Sequence, residues 1–290
     1  MVLPVPSDVP GAPAPWAARL SEPGSPVCSP DWLALREPAD HAARSGELAA
    51  RLASRLGARL GAGPDPVVLR DLGCGAGSMG RWLAPRLARR QHWFTHDRDA
   101  ELAHRAARTS PVPATAVVGD LTDLTDLAGT DVVVCSALLD LLDAADVEHL
   151  AALCAGAGAT ALLTLTVTGD VTVDPADPLD APVAAAFDAH QRREGRLGPD
   201  AADVTADAFT RHGFAVTRRP SPWRLGAGDA ALVEEWLRGR LDAACAQDPS
   251  LTPHAATHLQ RRLDALAAGR LHAQVGHADL LALPRDGGDR

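Results

Sequence analysis

Residues 67–83 are VVLRDLGCGAGSMGRWL, and this stretch decides the fold of the chain. A short apolar run precedes a glycine-rich loop, and a helical pattern follows it, which predicts a strand, a tight turn and the start of a helix. Glycines permit positive φ angles and let a ligand approach the backbone closely. The first turn of a helix adds free N–H groups and the positive end of the helix dipole. The stretch therefore predicts a binding loop for a nucleotide-like ligand or a carboxylate.

Two overlapping patterns in this loop point to different ligands. Residues 75–80, GAGSMG, fit the G-x-G-x-x-G pattern of dinucleotide sites. A larger frame places an acid before three alternating glycines, and it consists of Asp71, Gly73, Gly75 and Gly77. This frame resembles the first motif of class I S-adenosylmethionine (SAM) methyltransferases. SAM carries an ammonium and a sulfonium, which a carboxylate beside the loop attracts, whereas the same carboxylate repels a pyrophosphate.

The resemblance continues through the next two predicted strands. Residues 92–96 predict a second strand that ends at Asp97, and an acid there can accept hydrogen bonds from both ribose hydroxyls. NAD enzymes share that acid, so it does not discriminate between the two ligands. Residues 114–118 predict a third strand, and the resemblance implies that Asp120 and Leu121 after it contact the adenine.

The fourth motif completes the similarity to this family. Residues 132–135 predict a fourth strand, and Ser136 begins the motif whose backbone borders cofactor and substrate in the family. The resemblance covers residues 67–140 and implies SAM as the cofactor. It further implies that the methionine part of SAM is held by Asp71, Gly73, Gly75 and Gly77.

The same resemblance implies a Rossmann-like α/β fold. We expect a seven-stranded, mostly parallel sheet with an antiparallel last strand, helices on both faces and an extra helical cap. The fifth strand is predicted at residues 159–168, followed by an acidic excursion from Gly169. The predicted organisation is a disordered Pro-rich arm (1–28), a methyltransferase domain (29–284) and a tail (285–290). Within the domain we expect N-terminal lid helices (29–63) and a helical insertion between the last two strands (226–270).

Bulk composition excludes several classes of partner. The chain has 290 residues, of which 46% are hydrophobic, and this is enough for a sizeable core. A formal net charge of −9 disfavours a long nucleic acid. No apolar run approaches the length of a membrane span, so no membrane partner is predicted. Lysine is absent, which rules out lysine catalysis and makes arginine the chain's permanently charged cationic side chain.

The cysteines and histidines predict neither disulfides nor a metal site. Five widely spaced cysteines form no Cys-x-x-Cys pair, which is typical of reduced thiols in a cytoplasmic protein. The N-terminus shows no secretory pattern either. His254 and His258 lie four apart on a predicted helix, but no third ligand accompanies them, so no metal is predicted.

Candidate residues for the methyl acceptor follow the fourth and fifth strands. His190 is the general base to test first, and Arg192, Arg193 and Arg196 close to it can clamp a carboxylate. Asp140 is predicted to orient the acceptor. The alternatives are a solvated helix end for His190 and the arginines, and a helix cap for Asp140.

Two tryptophans are predicted to touch the substrate, Trp32 in the first helix and Trp223 after the sixth strand, with ordinary packing as the alternative. Arg36, His41 and Arg44 are further candidates to line a lid. The predicted function is direct in-line methyl transfer from SAM to oxygen, nitrogen or carbon of a small metabolite, and the arginines favour an anionic one. An NAD(P)-dependent oxidoreductase and a catalytically silent SAM-binding protein are the alternatives.

Overall fold

The fold is described by a computed structural model covering residues 28–60, 63, 65–121 and 124–285. The predicted arm lies outside these residues, apart from Cys28, and so does the predicted tail, apart from Arg285. The helices are α1 (Pro30–Ala43), α2 (Gly46–Leu60), α3 (Ser78–Leu83), α4 (Ala100–Thr109), α5 (Ala144–Ala157), α6 (Asp180–Gln191), α7 (Ala201–Arg211), α8 (Ala230–Gln247) and α9 (Thr252–Ala267). The strands are β1 (Val67–Leu72), β2 (Gln91–Asp97), β3 (Ala114–Val118), β4 (Val132–Ser136), β5 (Thr160–Asp174), β6 (Phe214–Pro220), β7 (Trp223–Leu225) and β8 (His272–Pro284).

The strands form one mixed sheet in the order β3-β2-β1-β4-β5-β8-β6, with β7 also paired to β8. The pairs among β1 to β5 are parallel, and β8 runs antiparallel to β5, β6 and β7. The predicted fold class, with its reversed last strand, is therefore confirmed. The sheet has eight strands in the described residues instead of seven, because the long β8 extends past β6 and pairs there with Trp223–Leu225.

Strand β5 is longer than the sequence predicted. It runs to Asp174 instead of ending at residue 168, and the acidic excursion predicted from Gly169 was wrong over its first part. Two register shifts against β8 absorb the irregular middle of the strand, where Leu165 has a φ of +57°. Beyond them the alternation of Val171 and Val173 with polar residues keeps the chain extended.

Helices pack on both faces of the sheet. On one face, α2 buries a stripe of leucines at four-residue spacing, Leu48, Leu52 and Leu56, together with α3. On the other face, α5 and α7 cover the central strands around Phe209 and Phe214. Helices α8 and α9 lie in the chain between β7 and β8, and they cover the extended ends of β5 and β8. No helix in the described part of the chain is both long and apolar enough to cross a membrane.

The N-terminal helices are separated by a break after Ala43. Helix α1 runs through Pro38 to Ala43, and extended backbone at Arg44 then separates α1 from α2. Buried Asp279 of β8 stabilises this break by accepting a 2.7 Å hydrogen bond from the Ser45 N–H. The same carboxylate accepts one from the Leu165 N–H at 2.8 Å, so it ties the break to the bend in β5.

Candidate functional site

A cleft opens where β1, β2 and β4 end, at the edge where open α/β sheets bind ligands. Its volume is about 1120 Å³, counting the solvent at its mouth. The residues predicted to hold a cofactor that line it are Asp71, Gly73, Gly75, Asp97, Asp120, Leu121 and Ser136. Gly77, the remaining one, lies at the N-terminal cap of α3. The structure therefore brings residues from four separate sequence motifs into one cavity.

The loop after β1 needs its glycines for steric reasons. Gly73, Gly75 and Gly77 have φ angles of +67°, +51° and +85°, in the left-handed region. A Cβ at Gly77 would lie 2.9 Å from the Cα of Ala106 in α4, and one at Gly75 would lie 3.2 Å from Leu33 in α1. The loop can therefore pass closely between the first and fourth helices only because these positions carry no side chain.

Asp97 at the end of β2 fixes the position of the loop. Its Oδ2 accepts a hydrogen bond from the Gly75 N–H at 2.8 Å, and its Oδ1 accepts one from the Asp99 N–H at 3.0 Å. Burial raises the pKa of Asp97, and these two N–H groups oppose that rise. A carboxylate has about four lone-pair sites, so each oxygen retains capacity to accept from ligand hydroxyls.

Asp71 near the end of β1 is the site's unsatisfied acid. It is 1% exposed, and its Oδ2 has no hydrogen-bond partner. Burial raises the pKa of Asp71 to about 7, while the positive charge of Arg44 acts to lower it. A buried carboxylate with an open acceptor is unfavourable unless a cationic or hydrogen-bonding group satisfies it. The cleft thus fits a ligand that brings an ammonium, and it does not fit a pyrophosphate at this position.

Helix α1 forms a wall of the cleft, and two of the arginines that line the cleft, Arg36 and Arg44, lie in α1 or directly after it. The Arg44 guanidinium donates to the Ser78 Oγ at 3.1 Å and to the Ser136 Oγ at 3.0 Å, joining the start of α3 to the end of β4. Arg36 donates through Nε and Nη2 to Asp40 at 3.0 to 3.2 Å. Its Nη1 has no hydrogen bond to the described residues.

Further contacts attach α1 to the rest of the fold. Glu37 forms a two-pronged ion pair with Arg81 of α3, at 2.6 and 2.7 Å. The ring of His41 lies 3.1 Å from the Ser78 carbonyl oxygen. Asp40 accepts from the Trp223 Nε1–H at 3.0 Å, which ties α1 to β7. These contacts place α1 beside the glycine loop as part of the site.

The two tryptophans predicted to contact substrate do not line the cleft. Trp223 is 3% exposed, and its indole N–H is already bonded to Asp40. Trp32 packs on the same hydrophobic cluster below the helical insertion. The alternative of ordinary packing fits both side chains, because the ends of β5 and β8 extend beneath them and offer apolar surface.

His190, Arg192 and Arg193 are also outside the lining of the cleft. Arg192 pairs with Asp200 at 2.8 Å, and Arg193 donates to the Gln247 Oε1 at 2.6 Å. Arg196, the third predicted arginine, is closer to the cleft, because its charge acts on Asp140 and the Leu197 N–H beside it donates to the Leu142 carbonyl oxygen at 2.7 Å. The acceptor clamp in this segment stays a prediction.

Asp140 lies closer to the cleft than these residues. It is in the short 3-10 turn Leu139–Leu141 after β4, between the cleft-lining residues Leu138 and Leu141. Burial raises its pKa, and the charge of Arg36 opposes that rise, which places the carboxyl within electrostatic reach of α1. Its predicted role as an acceptor-orienting group stays a prediction.

Sequence reasoning missed part of the lining. Asp40, Leu33, Arg98 and Asp99 line the cleft and were not among the candidates. Spacing was the available signal for two of them, because Leu33, Arg36, Asp40 and Arg44 recur every three or four residues and so share one helix face. In the described ranges, no group of three His, Cys, Asp or Glu side chains is placed to hold a metal ion.

A comparison with protein families matches this region. Residues 69–157, just under a third of the chain, match a family model described as "Methyltransferase domain". The match begins in β1 and ends with α5, so it includes the glycine loop, Asp97 and the end of β4. The match agrees with the methyltransferase family suggested by the four motifs and covers the part of the chain that carries most of them. S-adenosylmethionine is the methyl donor of that family.

Solved structures with a similar fold include several methyltransferase-like proteins. A cyclopropane synthase, MmaA2 from Mycobacterium tuberculosis, is 16% identical over 88% of this chain and 94% of that chain, with a TM-score of 0.44. A SAM-dependent methyltransferase from Geobacter sulfurreducens in complex with S-adenosyl-L-homocysteine is 18% identical over 89% and 99%, with a TM-score of 0.41. These are distant similarities. No curated protein sequence matches the chain.

Proposed function

We propose that this chain is a SAM-dependent methyltransferase that acts on a small, anionic metabolite. The observation that carries the proposal is the buried Asp71 carboxylate, which has one oxygen without a partner beside a loop of left-handed glycines. An ammonium group satisfies that oxygen, and SAM offers one, whereas NAD offers a pyrophosphate of the same charge as the acid. The reversed strand β8 also differs from the all-parallel sheet expected of a dehydrogenase.

Different residues of the cleft contact different parts of the proposed cofactor. Asp71 and the backbone from Gly73 to Gly77 hold the methionine part, and Arg44 contributes positive potential for its carboxylate. Asp97 accepts from the ribose hydroxyls, while Asp120 and Leu121 border the adenine. When bound, SAM supplies a methyl group on a sulfonium, which is already a good leaving group.

The protein's part in methyl transfer is to align the acceptor and exclude water. Arg36 is the cleft cation best placed to attract an anionic acceptor, because its Nη1 has no hydrogen bond to the described residues while Asp40 fixes the rest of the guanidinium. Asp140, whose pKa is raised by burial, is the carboxyl near this wall that can take up a proton. A carboxylate acceptor needs no such base.

Calorimetry with SAM, S-adenosylhomocysteine, NAD and NADP tests the cofactor. We expect the first two to bind and the dinucleotides not to bind. Asp97→Ala should weaken SAM binding by about 1–3 kcal/mol, because a buried, charged hydrogen bond is lost. Asp126→Ala is the matched control, since that exposed acid caps a turn away from the cleft, at Ala128. Binding of NAD without binding of SAM would reverse the assignment.

Turnover of methyl-labelled SAM against a pool of small carboxylic acids and other metabolites tests the reaction. Label transfer supports an enzyme. Tight SAM binding with no transfer to any fraction of a whole metabolite extract would favour the catalytically silent SAM-binding protein. The cytoplasmic location inferred from the cysteines stays a prediction.

A further inference from the structure

A second cavity lies under the helical insertion, between α6, α8, α9 and the extended end of β5. It has a volume of about 460 Å³, counting the solvent at its mouth, and it shares no lining residue with the cleft. Its walls are largely aliphatic, with Val171 and Val173 from β5, Leu237 and Leu241 from α8, and Leu259 from α9. The cavity is therefore a separate feature that the proposed methyl transfer does not use.

One buried cation in this cavity lacks a direct partner. Arg240 of α8 is 7% exposed, and its guanidinium makes no hydrogen bond or ion pair with the described residues. Its Cζ lies 4.7 Å from the centre of the Phe187 ring and 5.7 Å from that of Trp236. Ring contacts orient a guanidinium but do not satisfy its five N–H donors. No nitrogen of Arg240 is fully buried without a partner, so the donors remain open to the cavity, where a ligand can accept from them.

Most of the neighbouring charged side chains are paired with one another. Arg262 contacts Asp180 and the Pro175 carbonyl oxygen, and His258 contacts Asp177 at 3.2 Å. Burial lowers the pKa of Arg240, and the charges of Asp188 and Asp180 oppose that decrease, although neither carboxylate contacts the guanidinium. Arg240 is thus the cavity-lining cation without a direct contact to an acid. The nearby acids, including Asp188 with a buried oxygen that has no hydrogen-bond partner, disfavour a doubly charged anion.

From this arrangement we propose that the cavity is a binding site for a small monocarboxylate with an apolar body. The planar guanidinium of Arg240 matches a carboxylate with two parallel hydrogen bonds. The aliphatic walls accept a short hydrocarbon chain, and the small enclosed part of the cavity limits the ligand to a short one. A phosphate fits less well because it carries more charge next to Asp180 and Asp188.

Hexanoate is the probe, with hexanamide and inorganic phosphate as its chemical controls. Titration followed by calorimetry and by tryptophan fluorescence should show hexanoate binding, and the fluorescence should respond because Trp236 lines the cavity. Hexanamide has the same chain without the charge and should bind at least about tenfold more weakly. Equal binding of hexanoate and hexanamide would overturn the proposal. No saturable binding of hexanoate at millimolar concentration would overturn it as well, and would indicate that the cavity holds only water.

Variants on the same helix locate the binding. Arg240→Gln should weaken hexanoate binding at least about tenfold, the loss expected for a charged hydrogen-bonded pair. Arg238→Gln is the matched control, because that arginine is exposed and paired with Glu234 four residues earlier. It should leave the affinity unchanged. Binding that survives Arg240→Gln but is lost in Arg36→Gln belongs to the cleft and overturns the proposal.

A conservative variant covers the case in which Arg240→Gln does not fold. Arg240→Lys keeps the charge and most of the packing against Phe187, but it loses the planar pair of donors. We expect it to bind hexanoate more weakly than the wild type and with less discrimination against phosphate. Unchanged affinity and selectivity in Arg240→Lys would contradict the two-pronged recognition that the proposal requires.

Discussion

The glycine loop after β1 and the helical region after β5 both follow parallel strands, and both contain residues that the sequence marked as functional. The loop delivers its residues to the cleft, whereas the helical region does not. In the loop, an acid and three glycines lie within seven residues, so their relative positions are nearly fixed once the backbone turns. In the helical region, the position of His190 and its arginines depends on where β5 ends, and that end, Asp174, lies sixteen residues before His190. Local spacing is therefore a stronger guide to a site than a cluster of charges that follows a strand.

The largest effect that can test this contrast is a substitution in the loop. Gly77→Ala should lower the free energy of unfolding by about 3 kcal/mol, because left-handed backbone is unfavourable for alanine and the new Cβ would crowd the backbone of α4. Gly129→Ala is the matched control, with a similar φ of +72° but open space around the position, and should lower it by about 1 kcal/mol. Urea unfolding of both proteins measures the difference. Equal losses would show that the close approach to Ala106 is not a constraint.

The sequence predicted the chemistry of the site better than its outer boundary. Spacing placed Asp71, Asp97 and Ser136 in the cleft because each follows or ends a parallel strand, and such ends meet at one edge of a sheet. It did not predict the role of Trp223, since its partner Asp40 lies 183 residues away in the chain. The sequence also did not predict the extension of β5. The residues of β8 that pair with this extension and stabilise it come about one hundred positions later in the chain.

The next effect concerns the ionisation of Asp71. The raised pKa means that the native state holds a proton where the unfolded chain has lost it, so the free energy of unfolding decreases as the pH rises toward about 7. Binding of an ammonium requires the ionised acid and should therefore strengthen over the same range. SAM affinity should fall about tenfold between pH 7.5 and about pH 6.

Asp71→Asn is the variant that isolates this dependence. It should bind SAM more weakly at pH 7.5 and show a nearly flat affinity across that range, because asparagine has no proton to lose. It should also be more stable than the wild type above pH 7, where the wild type carries a buried charge. Calorimetry and urea unfolding at the two pH values measure both. A pH dependence that persists in Asp71→Asn would assign it to another group.

A smaller effect is expected from Trp223, which distinguishes a residue that positions α1 from one that contacts substrate. Trp223→Phe keeps an aromatic ring in the cluster but removes the N–H donor to Asp40. We expect a loss of about 1 kcal/mol in the free energy of unfolding, and an unchanged KM for the methyl acceptor once one is found. Thermal unfolding and steady-state kinetics give the two numbers. A large rise in KM with unchanged stability would return Trp223 to the substrate site.

The smallest effects should come from the arginines of the helical region. Arg192 is about half exposed in its pair with Asp200, and exposed pairs contribute little because water and salt screen them. Arg192→Ala and Arg193→Ala should each change the free energy of unfolding by less than about 1 kcal/mol and leave kcat/KM within about twofold of the wild type. Arg36→Gln provides the contrast, since that arginine lines the cleft and its loss should raise the KM of an anionic acceptor about tenfold. If Arg193→Ala lowers kcat/KM as much as Arg36→Gln does, the acceptor reaches beyond the cleft to the end of α6. The arginines near His190 would then belong to the acceptor site, although they do not line the cleft.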